Sequence, residues 1–256
     1  MIDPTARVHP DAKLAPDVEV GPYAVIGPQV QIGAGSVIGP HAVITGNTRI
    51  GRNNRIFQFA SIGEIPQDKK YHLGDDTRLE IGDGNTIREF CTINVGTAGG
   101  GGLTRLGDDN WLMANVHIAH DCIVGSHTIF ANSASLAGHV TVEDYVILGG
   151  FALVHQFCAL GAHSFLGATA LVLKDVPPFV MADGNSARPR GINTEGLRRR
   201  GFSADDIAAI RNAYKTLYRC GLRLQEALAV LDGESDCPHV AHMAAFVRRS
   251  QRGIIR

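Results

Sequence analysis

Aliphatic residues recur at every sixth position along most of this chain. Ile2, Val8, Leu14, Val20, Ile26, Ile32, Ile38, Ile44, Ile50, Ile56 and Ile62 keep the spacing without a miss. A short second register holds Ile81, Ile87 and Ile93. A third runs through Leu106, Leu112, Ile118, Val124, Phe130, Leu136, Val142, Leu148, Val154, Leu160, Leu166 and Val172. An α-helix would scatter every sixth residue around its axis, and a hairpin sheet alternates with a period of two. A chain that turns after each short strand keeps all of these residues inward. Three such strands close one triangular coil, so every third repeat stacks on the first. Each aliphatic buried this way contributes about 1.5–3 kcal/mol. One coil alone cannot bury its face, so the repeats must stack. Residues 1–184 are therefore expected to form a parallel β-helix of hexapeptide repeats.

The residues around the aliphatics fit that coil. Two positions before them sit small or β-branched residues such as Ala24, Ser36 and Ala134. Cys91, Cys122 and Cys158 occupy the same slot, which makes them small inward hydrophobes rather than disulfide partners or metal ligands. The period breaks at residues 64–78 and again at 97–104. Both insertions must leave the coil as surface loops, either plain connections or carriers of function. After Val172 the segment "DVPPFV" stops the repeat, because proline cannot donate to a strand ladder. Residues 185–200 read as a polar, basic connector. A helix starts at Ser203 with Asp206 as its capping-box partner, and Ile207, Ile210, Tyr214 and Leu217 mark its apolar face. Leu224, Leu228 and Leu231 mark a second helix, and a third is expected from about His239 to Ser250. Residues 185–256 are thus expected to form a helical domain on the end or side of the coil.

A formal net charge of −1 gives no electrostatic footprint for a nucleic-acid partner. The opening "MIDPTARVHP" lacks the basic-then-apolar run of a secretory signal. No apolar stretch approaches the roughly 20 residues of a spanning helix. A soluble, cytoplasmic protein without a membrane span is the expectation.

Five of the eleven histidines, His117, His120, His127, His139 and His155, lie between residues 117 and 155, within the third register. Stacking by three repeats puts Gly138 one coil above His120 and Gln156 two coils above it, with Asp121 one coil below His139. His120, Gly138, His139, His155 and Gln156 should therefore share one patch. A neutral imidazole can take a proton from a hydroxyl near pH 7. A backbone N–H left open at glycine can hold an oxyanion. The patch thus has the parts for acyl transfer, with His120 as base and Gly138 as oxyanion donor. A zinc site of His117, His120 and His139 is the competing reading, although their repeat phases differ. We expect no metal.

The segments "NVHIAHDC", "LAGHVTV", "VHQFCALGAH", "DVPPF" and "NTEGLRRRGF" resemble the UDP-N-acetylglucosamine O-acyltransferases of lipid A synthesis. The likeness extends over essentially the whole chain. It implies a left-handed coil, where the general rule for parallel crossovers gives the opposite hand. It implies transfer of a 3-hydroxyacyl group from acyl-carrier-protein to the 3-hydroxyl of UDP-N-acetylglucosamine. The enzyme would need no cofactor of its own, since the donor brings its phosphopantetheine, and would be a homotrimer with sites between subunits. His120 matches the general base, Gly138 the oxyanion-hole amide, and Asp121 the acid that orients the base. In a regular strand, however, adjacent residues point to opposite faces. His117, His139, His155 and Gln156 match sugar-nucleotide contacts. Asp68 and Lys70 match residues near the acyl hydroxyl and the phosphates. Asn193, Glu195, Arg199 and Arg200 match a segment holding the nucleotide or the pantetheine arm, where arginine forks suit phosphate.

Two positions depart from the family pattern. In "CTINVGT" the family often has a His-Arg pair where this chain has Asn94 and Val95, which raises a 3-amino sugar nucleotide as an alternative acceptor next to the hydroxyl. Asn94 is kept among the expected substrate contacts. Ala168, in "LGATA", stands where the family sets acyl length, and alanine there implies a chain of medium length. Two further readings are an N-acyltransferase of the same pathway and a non-catalytic trimeric β-solenoid. The former carries a large domain ahead of its repeat, whereas this repeat begins at Ile2.

Overall fold

In the computed structural model, residues 1–234 and 237–256 are described, and Ser235 and Asp236 of the expected helical domain lie outside the described residues. Residues 1–172 wind as a left-handed parallel β-helix. Strands mostly two residues long build three sheets of nine, eight and ten strands. Successive coils pair in one constant register, as in Arg7↔Val25, Ile118↔Leu136 and Val154↔Val172. The insertions leave the aliphatic register intact, with one bulge after Ile62, where Glu64 pairs with Asn94. Ile50 pairs with Ile81 across the first and Ile81 with Leu106 across the second, so the extra residues of each leave the coil as a loop. The aliphatics of all three registers face inward, and from Val20 onward they are buried.

The corners obey a tighter rule than the strands. Every sixth residue from Asp109 through Asn115, Asp121, His127, Ser133, His139, Tyr145, Phe151, Phe157 and His163 to Thr169 has a left-handed backbone, with φ between 52° and 63°. None is glycine. Such a conformation costs on the order of 1–3 kcal/mol at a non-glycine residue. Stacking on the same corner of the next coil offsets that cost. His127, Tyr145 and His163, for example, stack with ring centroids 4.7 Å apart at each step.

One inward slot carries a polar ladder instead of aliphatic groups. Asn54 Oδ1 accepts from the backbone N and Nδ2 of Asn85, each at 3.0 Å. Asn85 Oδ1 accepts likewise from Asn110 at 2.9 and 3.0 Å. Asn110 Oδ1 accepts from the backbone N and Oγ1 of Thr128. The side-chain amides of Asn54 and Asn85 donate in turn to Gly82 and Gly107 carbonyls. The ladder crosses the coils in which the two loops depart.

The connector expected at 185–200 is instead ordered secondary structure. Val180–Asp183 adds a parallel strand beside Phe165–Leu166, and Arg188–Ile192 returns antiparallel along it. Pro189 is tolerated because this strand is the sheet edge. Four helices follow: α1 (Thr194–Arg199), α2 (Ala204–Tyr218), α3 (Leu224–Glu234) and α4 (Pro238–Arg249). The Ser203–Asp206 capping box opens α2, which buries Ile207, Ile210, Tyr214 and Leu217. The end of α4 is tied to the coil by polar contacts. His242 Nε2 and the Arg249 guanidinium meet Glu143, and Ser250 Oγ donates to buried Asp175 at 2.6 Å.

Asn85→Ala removes the acceptor of two Asn110 groups and the side-chain donor to Asn54. Each buried group left unpaired costs about 1–3 kcal/mol. A urea unfolding midpoint clearly below that of the unaltered protein is expected; an unchanged midpoint would mean that the ladder contributes nothing to stability.

Candidate active site

His120 and Asp121 are not strand residues. They form the turn after His117–Ile118, and the left-handed φ of 59° at Asp121 swings its side chain to the same side as His120. Asp121 Oδ2 lies 2.8 Å from His120 Nδ1. An ionised carboxylate only accepts, so the proton sits on Nδ1 and the lone pair on Nε2. The carboxylate is buried and fully engaged: Oδ1 accepts from Thr97 N at 2.9 Å, and Oδ2 also accepts from Thr97 Oγ1 at 2.6 Å. Thr97 caps a short 3₁₀ turn, Ala98–Gly100, in the second loop. A Cβ at Gly100 would run into the Asp121 carboxylate, so only glycine lets this loop close over the acid.

Gly138 performs the same service for the base. A Cβ there would lie 2.7 Å from His120 Nε2 and 2.6 Å from Cε1. The imidazole thus rests directly on the Gly138 backbone, whose N–H donates to no acceptor among the described residues. His139 meets the His120 ring edge-on at 5.1 Å and stacks on Phe157 at 4.3 Å. His117 shares a 2.7 Å hydrogen bond with Thr92 Oγ1 through Nδ1. Burial is the main reason that both His117 and His139 are held below the ordinary histidine pKa. The lowered values favour the neutral form of both rings beside His120. His155 reaches the Gln156 carbonyl at 3.2 Å, and Gln156 is exposed.

Among the described residues, the three groups close enough to share a metal are His120, Asp121 and His139. They differ from the weighed trio, because His117 turns Nδ1 to Thr92. The carboxylate of Asp121 already takes hydrogen bonds from Thr97 and His120.

Both loops wall the site. Asp68, Lys70, Tyr71 and His72 from the first and Thr97–Gly100 from the second border a cavity of about 520 Å³ with His139 and Phe157. Asp68 also folds its own loop, accepting from Lys70 N at 3.0 Å. Asn94 is elsewhere. It is buried, and its Nδ2 donates to the Glu64 and Ile65 carbonyls at 3.2 and 3.1 Å, pinning the root of the first loop. Val95 beside it joins the hydrophobic core. Thr92, Thr97, Gly100 and Phe157 escaped the sequence reading; the glycine run at 99–102 was the available signal for two of them.

A second cluster lies apart from the first in this chain. Asn193 caps α1 through Oδ1 and donates Nδ2 to the His163 carbonyl at 3.0 Å. Glu195 pairs with Arg199 at 3.0 Å on the exposed face of α1. Arg199 and Arg200 border a cavity of about 610 Å³ with Ile129, Ile147 and Phe165. Ala168 is exposed at a corner other than that of His120, stacked in the coil over Gly150. His163, beside Arg200, is pushed down to about 4, mainly by burial and then by the guanidinium charge.

A half-buried histidine held by a buried aspartate beside an open backbone N–H, built on a hexapeptide coil, defines the class of hexapeptide-repeat acyltransferases. Residues 175–255 match the family profile described as UDP N-acetylglucosamine O-acyltransferase, domain 2, and residues 11–46 and 104–138 match the bacterial transferase hexapeptide profile. The acyl-[acyl-carrier-protein]–UDP-N-acetylglucosamine O-acyltransferase of Thiobacillus denitrificans is 59% identical over 204 residues, covering 79% of each chain. The solved UDP-N-acetylglucosamine acyltransferase of Francisella novicida is 45% identical, with a TM-score of 0.98 over 100% of this chain and 94% of that one. That of Bacteroides fragilis is 42% identical with a TM-score of 0.98, covering 100% of both. The chain belongs to the UDP-N-acetylglucosamine O-acyltransferase family.

Gly138→Ala forces the His120 ring off its seat. Turnover should fall by at least about tenfold with the melting temperature little changed, since one methyl group is added and the atoms in its path belong to the partly exposed His120 side chain, which can turn aside. Steady-state kinetics beside a thermal melt checks this; an unaltered rate would separate Gly138 from the base. His163 yields a pH prediction. The folded form takes up this proton only near 4 and the unfolded chain near 6.5. The contribution is therefore present above about pH 6.5 and lost as pH falls toward 4. His163→Phe, which extends the ring stack, should flatten the decline of the urea midpoint between pH 7 and 4. An identical slope in both proteins would contradict the assignment.

Proposed function

We propose that the protein transfers a 3-hydroxyacyl group from acyl-carrier-protein to the 3-hydroxyl of UDP-N-acetylglucosamine, the first step of lipid A synthesis, with His120 as general base. The observation that carries this reading is the His120 ring, held through Nδ1 by Asp121 and laid with Nε2 against Gly138. Nε2 takes the proton of the sugar hydroxyl as its oxygen attacks the thioester carbonyl. The Gly138 N–H holds the resulting oxyanion. The C–S bond then breaks, and the imidazolium returns its proton to the departing pantetheine thiolate. No acyl-enzyme is needed. Burial pushes the thiols of Cys91 and Cys158 up to about 11 and that of Cys122 to about 12, which makes them poor nucleophiles.

Neutral His117 and His139, with His155 and Gln156, would bind the sugar nucleotide, and Asp68 and Lys70 would approach from the first loop. Asn193, Glu195, Arg199 and Arg200 would hold a phosphate-bearing arm. These residues and Ala168 stand apart from the dyad in one chain, which supports a site completed between subunits of a homotrimer. Ala168 would stop an acyl chain of medium length. Asn94 is occupied with loop carbonyls, so its difference from the family pattern does not touch the acceptor, and the hydroxyl acceptor is favoured over an amine. The reaction would take place in the cytoplasm; no helix among the described residues is long and apolar enough to cross a membrane.

His120→Ala should lower turnover by about 10²–10⁴-fold, as expected for loss of a general base. Asp121→Asn should act in the same direction through the wrong tautomer. Assays with acyl-carrier-protein thioester and UDP-N-acetylglucosamine test both. If His120→Ala keeps its fold and more than about a tenth of the activity, the base lies elsewhere.

A further inference from the structure

Three left-handed corner residues, His127, Tyr145 and His163, stack with interplanar angles of 16° and 8°. Arg200 closes α1 and lies over the middle ring, with Cζ 4.9 Å from the Tyr145 centroid. Its Nη1 is buried without a hydrogen-bond partner. No carboxylate among the described residues pairs with it, and burial draws its pKa down. A desolvated guanidinium with an unused donor lacks an acceptor that the free chain does not supply.

The same corner fixes the other end of the helix. The His163 carbonyl accepts from Asn193, the N-cap of α1. Its ring backs Tyr145, and Phe202, just beyond α1, meets that ring edge-on at 5.0 Å. Helix α1 is therefore clamped at its start by the backbone of the ladder and at its end by a ring of the ladder. A ring face attracts a cation and matches the flat guanidinium, which an aliphatic side chain of similar size does not.

We propose that Tyr145 is a positioning residue whose ring, braced between His127 and His163, aims Arg200 at a substrate phosphate. This rests on the reading of Arg200 as a phosphate-binding residue. Two substrates carry such a group: the sugar nucleotide, as a diphosphate, and the carrier, as the phosphodiester of its pantetheine arm.

The test is a double-substitution cycle of Tyr145→Leu and Arg200→Ala, with Tyr145→Phe as the conservative variant. KM for UDP-N-acetylglucosamine, KM for the acyl-carrier-protein thioester and kcat are measured for each. Tyr145→Leu should raise one KM by about threefold to thirtyfold, the range of a desolvated cation–π contact, with kcat within about twofold. Which KM rises identifies the phosphate. Tyr145→Phe should restore it, and Tyr145→Leu should add nothing once Arg200 is alanine. A normal KM in Tyr145→Leu, an equal loss in both backgrounds, or no rescue by phenylalanine overturns the positioning role while leaving Arg200 as a phosphate contact. Normal KM values for both substrates in Arg200→Ala overturn the reading of Arg200 itself, and the role of Tyr145 with it.

Discussion

The turn at each corner governs the molecule. A coil closed by three short strands must change direction after every one of them. From Asp109 to Thr169 it does so each time through a left-handed residue that is not glycine, whereas the first turns at Thr5, Asp11 and Asp17 have none. That backbone is unfavourable in isolation. It persists because the corner residue stacks on its equivalent one coil away, while the aliphatic beside it is buried on the coil axis. Neither contact exists in a single coil. The strain and its compensation therefore arrive together as coils are added, which makes the fold cooperative along its axis.

The same corner explains why chemistry can be built on so regular a wall. Asp121 is a left-handed residue, and that conformation brings its carboxylate back onto His120 instead of sending it to the opposite face. His139 is the equivalent residue one coil on and takes its place beside the dyad for the same reason. Glycine then appears where two pieces of chain must touch: Gly138 under the imidazole and Gly100 against the carboxylate. The second glycine comes from a loop that breaks the repeat, so the dyad is braced from both the regular and the irregular part of the chain.

How much of this could be read in the sequence follows from the same distinction. Whatever depends on the period was legible. Counting by whole coils put Gly138 over His120, and the structure has the ring on that glycine. Whatever depends on a corner or a loop was not. Strand alternation spoke against the pairing of Asp121 with His120, because it describes extended backbone and not a left-handed turn. Asn94 read as a substrate contact because it stands where the family often has a histidine; its amide donates to carbonyls of an inserted loop whose path no period encodes. The edge strand at Arg188–Ile192 was hidden by its composition: arginine, proline and glycine are ordinary in a connector and equally tolerated at an unpaired sheet edge.

Charge is distributed along the coil by the same corners. His120 is flanked by imidazoles whose neutral form burial favours, while the cations near the second cluster, Arg199 and Arg200, lie at the end of a short helix away from the dyad. In the proposed reaction a cation next to His120 would oppose the proton that the ring accepts. A phosphate-bearing substrate, by contrast, needs a cation somewhere along its length. Separating the two over different parts of the coil satisfies both requirements of that reaction. The corner ladder accomplishes that separation with one device used twice: at His139 and Phe157 it presents a neutral ring to the reacting end, and at Tyr145 and His163 it supports a guanidinium for the anionic end.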